Sequence, residues 1–381
     1  MTLHFFSFPT PIVFGAGARA QVADHLKANG CTRPLVVTDR GLAALPVFAD
    51  FVAKLTPTVD AAVFSGVFGN PVASQVAAGV AAYRAHRADS IIGFGGGAAL
   101  DVAKAVALMS GHPGEILDYE DGKPGALPID RAIPYWVALP TTAGTGSEVG
   151  RSAVVSDETT HVKRIVFSPR LLARAVFADP ELTLALPAGV TAATGMDALT
   201  HCVEAYLAKD WHPICDGIAL EGVRLAARNL ATCVKRPSDV PARGAMLMAS
   251  MMGAIAFQKG LGVTHSCAHA LSAAADMHHG LANGVMIEHA LAHNVAAVPE
   301  RFASLAEAAG LADRSGAAFL AWLIALKAEI GIPAGLASAK VDRALIDRLV
   351  DLAVQDGCHQ SNPRACSRDD FRAIFTAAYA K

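Results

Sequence analysis

Short apolar runs alternate with helical stretches through the first half of this chain, and after Asp179-Pro180 the alternation stops. Leu35–Thr38, Ala61–Phe64, Ser90–Phe94 and Tyr135–Leu139 are bounded by Gly, Pro or Asp, as buried strands are. Ser74–Arg87 and Ala98–Ser110 between them carry helical patterns. That order predicts a mostly parallel sheet covered by helices. Ala153–Ser156, Ile165–Phe167 and Ala175–Phe177 are further strand candidates. Beyond them lie long Ala/Leu/Met-rich segments separated by Gly or Pro. Thr191–Leu207, Ile214–Leu230, Ala242–Phe257, Ser315–Ile330 and Val341–Val354 read as helices. The expectation is an α/β domain over residues 1–184 and an all-α domain over 185–381.

Composition narrows the function classes. At 53% hydrophobic and 17% charged, the 381-residue chain can bury a large core. A net charge of −2 and the lack of Lys/Arg runs argue against a nucleic-acid partner. Ala132–Ser147 is broken by two prolines and Gly244–Gln258 is too short to span a bilayer, so no membrane role is expected. The N-terminus lacks the basic and long apolar segments of a signal peptide, which points to the cytoplasm. The seven cysteines are scattered, contain no C-x-x-C pair, and read mostly as reduced core residues.

Gly195-Met196-Asp197-Ala198-Leu199-Thr200-His201 places a carboxylate and an imidazole four residues apart, on one face of a helix. Six of the fourteen histidines follow between His265 and His293. A carboxylate with several imidazoles suits a divalent transition metal better than calcium. Cys202 follows His201, and Cys267 stands two residues from both His265 and His269; on a helix these offsets are about 100° and 200°, so the sulfurs are poorly placed as ligands beside those histidines.

Ile91–Asp101 reads as strand, glycine turn and helix start, with Gly95, Gly96 and Gly97 able to admit a pyrophosphate against backbone N–H groups. Asp118 and Glu120 are at the spacing of a ribose acid, but neither ends a strand. Asp39 does, and a carboxylate there binds a ribose and repels a 2′-phosphate; it is equally a turn-forming Asp before Arg40-Gly41. Pro140–Glu148 is a second polar, glycine-bearing turn after a strand.

These residues together resemble the iron-containing (group III) alcohol dehydrogenase family. The likeness is carried by Asn70-Pro71, Gly95–Gly97 with Asp101–Lys104, Thr141–Glu148, Asp179-Pro180, Gly195–His201 and His265–Gly280, in the family's order over most of the chain. It implies a dehydroquinate synthase-like architecture, in which an N-terminal α/β domain binds NAD(H) and a C-terminal helical domain binds the metal. By resemblance the ligands are Asp197, His201, His265 and His279, holding Fe2+ first, with Zn2+ or Mn2+ as alternatives. His269 is then a catalytic histidine near the nicotinamide. Asp39, Gly95, Gly96, Gly97, Asp101, Thr141, Thr142 and Lys163 are then cofactor contacts.

His265 and His279 are fourteen residues apart, roughly 21 Å along one straight helix, so both reach one ion only if the chain reverses near Asp276–His278. His278 competes with His279; the family histidine precedes a glycine, here Gly280, which selects His279. Ala98 replaces a usual serine, Gly150-Arg151 is atypical, and Ala270 and Ser272 soften the motif after His269. Substrate candidates are Asn70, Arg151, Ser152 and Cys358, with His161 nearby.

The implied reaction is hydride transfer between the nicotinamide and a small primary alcohol or aldehyde. The apolar, strand-like Phe5–Phe14 segment and the family likeness imply a homodimer or larger oligomer. A maleylacetate reductase-like enzyme is one alternative, opposed by the intact Asp197 and histidines. A dehydroquinate synthase-like enzyme is another, opposed by the scarcity of basic residues for a phosphorylated substrate.

Overall fold

The computed structural model describes residues 10–160 and 162–379, together with Phe8. The chain folds into two compact units, one of Pro9–Thr142 with Ser147–Thr183, the other of Leu184–Lys381 joined by Ala143–Gly146.

The first unit is built on a six-stranded sheet. Its strands are β1 (Ile12–Phe14), β2 (Pro34–Asp39), β3 (Ala62–Val67), β4 (Ser90–Gly95), β5 (Tyr135–Pro140) and, after two strands elsewhere, β8 (Ala175–Ala178). Their order is β1-β8-β5-β4-β2-β3, and every pairing is parallel. Strands covered on both faces read as unbroken apolar runs, which is why β4, Ser-Ile-Ile-Gly-Phe-Gly, is buried at every residue. Val36, Ile92, Phe94, Val137, Leu139 and Phe177 form the core with Phe48 and Phe51 of the Pro46–Leu55 helix. The Phe51 and Phe94 rings stack at 4.7 Å. On the Phe5–Phe14 segment, the described strand β1 pairs with β8 of its own chain, Ile12 opposite Val176; residues 5–7 and 9 lie outside the described residues.

Two of the expected strands do not join this sheet. β6 (Ser152–Ser156) and β7 (Lys163–Phe167) form a separate antiparallel hairpin. Ala153 and Val155 are buried while Ser152 and Val154 are half-exposed, the alternation of a sheet covered on one face only.

In the second unit the main helices run Ala188–Leu207, Pro213–Lys235, Val240–Ala256, Val263–Ala275, His279–Ala292, Pro299–Ala308, Gly316–Glu329, Ile346–Gln355 and Arg368–Tyr379. Local chemistry sets their starts. Asp239 and Ser315 accept from backbone N–H groups three residues on, and Pro213 occupies a first-turn position where no N–H is needed. The helix expected from Val341 begins later, because the Asp342 side chain accepts from Ala344 N and shapes a short 3-10 turn over Arg343–Leu345. Val240–Lys259 is a 20-residue helical stretch apolar enough to cross a membrane by length and composition, and 61% of its most apolar window is buried inside the fold.

Candidate functional site

In the α/β unit Asp39, Gly95, Gly96, Gly97, Thr141 and Thr142 lie at the carboxyl ends of β2, β4 and β5, where open parallel sheets place their ligands. Gly95 ends β4 with φ +154°, and a Cβ there would lie 2.6 Å from that of Ala99. The Gly97–Gly111 helix starts at once, with Gly96 as an N-cap that offers no side chain, so its first-turn N–H groups are open to an anion. Thr141 N donates to Gly95 O at 3.0 Å, which sets Thr141 and Thr142 beside the Gly95–Gly97 turn. Asp39 Oδ1 accepts from Leu42 N at 2.8 Å and caps the Arg40–Ala43 turn. Its Oδ2 is 3.6 Å from where a Gly95 Cβ would stand.

Asp101 lies in the second turn of the Gly97–Gly111 helix. Its carboxylate accepts from Ser147 Oγ at 2.6 Å and Val154 N at 3.1 Å, so both oxygens are engaged inside the fold. These bonds brace the Ser147–Val149 turn and β6 against the helix. Lys104 completes the brace, donating to Ser147 Oγ at 2.8 Å and to the Ser152 carbonyl at 2.7 Å. Burial pulls the Lys104 pKa down, Asp101 and Glu148 opposing it. Burial pushes the Glu148 carboxyl up to about 7, and its Oε1 is buried with no hydrogen-bond partner among the described residues. Lys163 opens β7 opposite Ser156, and the Arg151 guanidinium rests 5.3 Å above the Phe167 ring. Asn70 is exposed, and His161 lies outside the described residues.

In the helical unit Asp197 and His201 lie in the Ala188–Leu207 helix, His265 in the Val263–Ala275 helix, and His279 opens the next. The chain reverses at Asp276, which takes a left-handed φ of 50°. One ligating atom from each of the four side chains lies within 4.8 Å of the others. Asp197 Oδ1 is 3.5 Å from His279 Nε2 and 3.9 Å from both His265 Nε2 and His201 Nδ1. Gly280 permits this approach: a Cβ there would sit 2.4 Å from the Ala193 carbonyl oxygen. His278 is an exposed N-cap whose Nδ1 faces Leu281 N at 3.4 Å, outside the cluster.

Burial drives the His201 pKa down to about 4 against the pull of Asp197, so the ring is a neutral donor at neutral pH. Burial alone would raise the Asp197 pKa, yet His201, His279 and His265 hold it well below the usual range. For His265 burial opposes protonation, and the hydrogen bond and charge of Glu204 outweigh it and raise the pKa.

His269 stands beside the four, its ring stacked on His279 at 5.1 Å. Its Nδ1 is 2.7 Å from Asp356 Oδ2. The Asp356 carboxylate also accepts from Ser266 Oγ at 2.7 Å and Cys358 N at 2.9 Å. Burial opposes ionisation of Asp356, and His269 more than offsets it, holding the carboxyl below its ordinary range. Burial likewise pushes the Cys358 thiol well up, and its sulfur lies 4.0 Å from His269 Nδ1.

The family model described as iron-containing alcohol dehydrogenase matches residues 9–180, and its C-terminal counterpart matches 191–379. The chain belongs to the iron-containing alcohol dehydrogenase family. It is 37% identical to the 1,3-propanediol dehydrogenase of Citrobacter freundii over 100% of both chains. It is also 37% identical to the 4-hydroxybutyrate dehydrogenase of Cupriavidus necator, over 97% of this chain and 98% of that one. A crystal structure of 1,3-propanediol oxidoreductase superposes with a TM-score of 0.92 at 36% identity, covering 98% of this chain and 100% of the other.

The donor set of this family member fits a divalent ion. His201 Nδ1 is buried with no hydrogen-bond partner among the described residues. The Asn283 amide nitrogen reaches into the same space, 2.8 Å from Asp197 Oδ1, 3.3 Å from His265 Nε2 and 3.2 Å from His279 Nε2. A carboxylate and imidazoles around one point are rich in acceptors, the imbalance that a cation corrects.

Sequence reasoning missed the residues that orient these groups. Glu204 Oε2 accepts from His265 Nδ1 at 2.7 Å, which leaves Nε2 toward the cluster. The same carboxylate accepts from the backbone of Gly262 and Thr264, capping the helix that carries His265. A signal existed: Asp197, His201 and Glu204 form an i, i+4, i+7 stripe. Thr145 Oγ1, 3.3 Å from Asp197 Oδ2, and Asp356 offered none.

Proposed function

We propose that the chain is an NAD-dependent, metal-dependent dehydrogenase interconverting a small primary alcohol and its aldehyde. The observation that carries this reading is the convergence of Asp197, His201, His265 and His279 on one point. Asp197, His201, His265 and His279 hold a divalent ion, Fe2+ first and Zn2+ or Mn2+ as alternatives. When bound, the ion supplies Lewis-acid polarisation of the substrate oxygen and the nicotinamide supplies hydride chemistry.

The chain's own residues do the rest. The first-turn N–H groups at Gly97 receive the pyrophosphate, Gly95 and Gly96 let it approach, and Thr141 and Thr142 line the adjacent turn. Asp39 presents a carboxylate to the adenosine ribose, disfavouring NADP. Asp101 and Lys104 fix the Ser147 turn from behind. Lys163 is the remaining cofactor contact. Asp356 takes the Nδ1 proton of His269 in a hydrogen bond, so Nε2 is left to exchange a proton with the substrate hydroxyl. Asn70, Arg151, Ser152 and Cys358 remain the substrate-pocket candidates, with Ser152 contributing through its side chain because its carbonyl is bound to Lys104.

The alcohol class follows the relatives, whose names give a diol and a hydroxy acid, each with a terminal primary hydroxyl. The complete ligand set favours this reading over a maleylacetate reductase-like or dehydroquinate synthase-like one. A cytoplasmic homodimer or larger oligomer completes it. The test is chelation followed by elemental analysis, NADH titration and aldehyde reduction. Loss of turnover with NADH binding retained is expected. Full turnover in verified metal-free protein overturns the metal requirement, equal kcat/KM for NAD and NADP overturns the Asp39 role, and a monomer in sedimentation overturns the oligomer.

A further inference from the structure

His293 closes the His279–Ala292 helix, and Cys366 and Asp370 flank the start of the Arg368–Tyr379 helix. One ligating atom from each of these three side chains lies within 4.8 Å of the others. His293 Nδ1 is 3.7 Å from Asp370 Oδ1. Two ligands on one tetrahedral zinc ion, with bonds of about 2.0–2.3 Å, stand roughly 3.3–3.8 Å apart.

The remaining polar atoms of His293 and Asp370 are engaged so as to leave one ligating atom of each toward the other, while Cys366 Sγ contacts the Ser367 carbonyl at 3.9 Å. His293 Nε2 donates its proton to the Ala365 carbonyl at 3.1 Å, which leaves the lone pair on Nδ1. Asp370 Oδ2 accepts from Ser367 N at 2.9 Å and Ser367 Oγ at 2.6 Å, which leaves Oδ1 facing His293. Outer partners of this kind orient metal ligands. All three residues are partly buried, and the His293 side chain is only 6% exposed, unlike a solvated acidic cluster.

A cysteine nucleophile is the other chemistry such residues suggest, and the geometry disfavours it. Burial, with Asp370 adding to it, pushes the Cys366 thiol up to about 12. The outer nitrogen of His293 is already bound to a carbonyl, so the ring has no route to relay a proton outward.

We propose that His293, Cys366 and Asp370 form a second divalent-metal site, selective for a thiophilic ion of the zinc class, with water completing the coordination. On binding, the Cys366 S–H bond breaks, a sulfur–metal bond forms, and the proton leaves to solvent. The Arg364 guanidinium, 3.7 Å from Asp370 Oδ1, is the competing cation that the ion displaces. His279 opens the same helix that His293 closes, so one helix presents a ligand to each cluster. The second ion pins the far end of that helix to the last helix of the chain.

Cobalt distinguishes the two clusters, because only the second contains sulfur. Enzyme already loaded with its ion at Asp197, His201, His265 and His279 is titrated with Co2+ and followed by near-ultraviolet absorption. A sulfur-to-cobalt charge-transfer band saturating at one equivalent, and reversed by Zn2+, is expected. Cys366→Ser and His293→Ala should abolish it with unchanged circular dichroism. Cys358→Ser should retain it, which separates this group from the neighbouring His269, Asp356 and Cys358. The proposal is overturned by absence of the band in the wild type, by its survival in Cys366→Ser, or by its loss in Cys358→Ser alone.

Discussion

Replacing Glu204 tests whether one buried carboxylate holds both a helix and a ligand. Its two oxygens accept from His265 Nδ1 at 2.7 Å, Gly262 N at 3.0 Å and Thr264 N at 2.6 Å. In Glu204→Ala these donors stay buried without an acceptor, and removing one partner of a buried ion pair costs about 3–5 kcal/mol. Glu204→Gln keeps the volume and one carbonyl acceptor but turns an NH2 group toward donors. That change costs about 1.5–3 kcal/mol, the worth of one charged hydrogen bond. The amide also no longer selects the Nδ1–H form of His265, so metal affinity falls on the order of 10–100-fold. Calorimetric unfolding in chelator isolates the folding cost, and competition against a fluorescent chelator gives the affinity. Both should rank wild type, Gln, Ala. Wild-type affinity in a Gln variant with lowered Tm would refute the link to His265, and an unchanged Tm in both variants would refute the capping role.

Glu148→Gln should alter the pH dependence of stability. A carboxyl at about 7 in the fold and 4.5 when unfolded costs stability as pH rises between those values, with no further loss above them. The Tm of Glu148→Gln relative to wild type should therefore climb from about pH 5 to about pH 8, and a flat difference would show that the buried carboxyl is not the cause. Gly280→Ala forces a Cβ to within 2.4 Å of the Ala193 carbonyl and 3.2 Å of Asp197 Cβ, so metal content after loading should drop. Full occupancy by elemental analysis would contradict that close packing. Asp356→Asn should retain metal while kcat falls by no more than the 10²–10⁴-fold or so that proton relay supplies, and unchanged kcat would dismiss the His269–Asp356 pair.

What could be read from the chain was what rests on local periodicity. The Asp197/His201 pair follows from helix geometry, and the buried β4 run from a sheet covered on both faces. Long-range pairing was hidden. β6 and β7 show strand-like composition, but nothing in runs of this length tells whether they join the parallel sheet or each other. Asp101 sits where a motif suggests a ligand contact, and its bonds to Ser147 and Val154, 46 and 53 residues away, have no local trace. The Pro299–Ala308 helix escaped notice because its polar face leaves few buried anchors, among them Phe302 and Leu305. Asp356 is 87 residues from His269, so their pairing has no local trace.

The reversal at Asp276 bears on how the ligand set comes together as the chain folds. Asp197 and His201 meet within one helical turn, and His265 and His279 meet across a short link between consecutive helices. Both pairings have low sequence separation, and closing small loops sacrifices little chain entropy. The joining of the two halves is the long closure, exemplified by Glu204 and His265, 61 residues apart. The intervening helices Pro213–Lys235 and Val240–Ala256 belong to that long closure, and Gly253 lets the second of them approach His201 closely. A residue inserted between Asp276 and His278 acts on the short link itself, and would throw His279 out of register with His265.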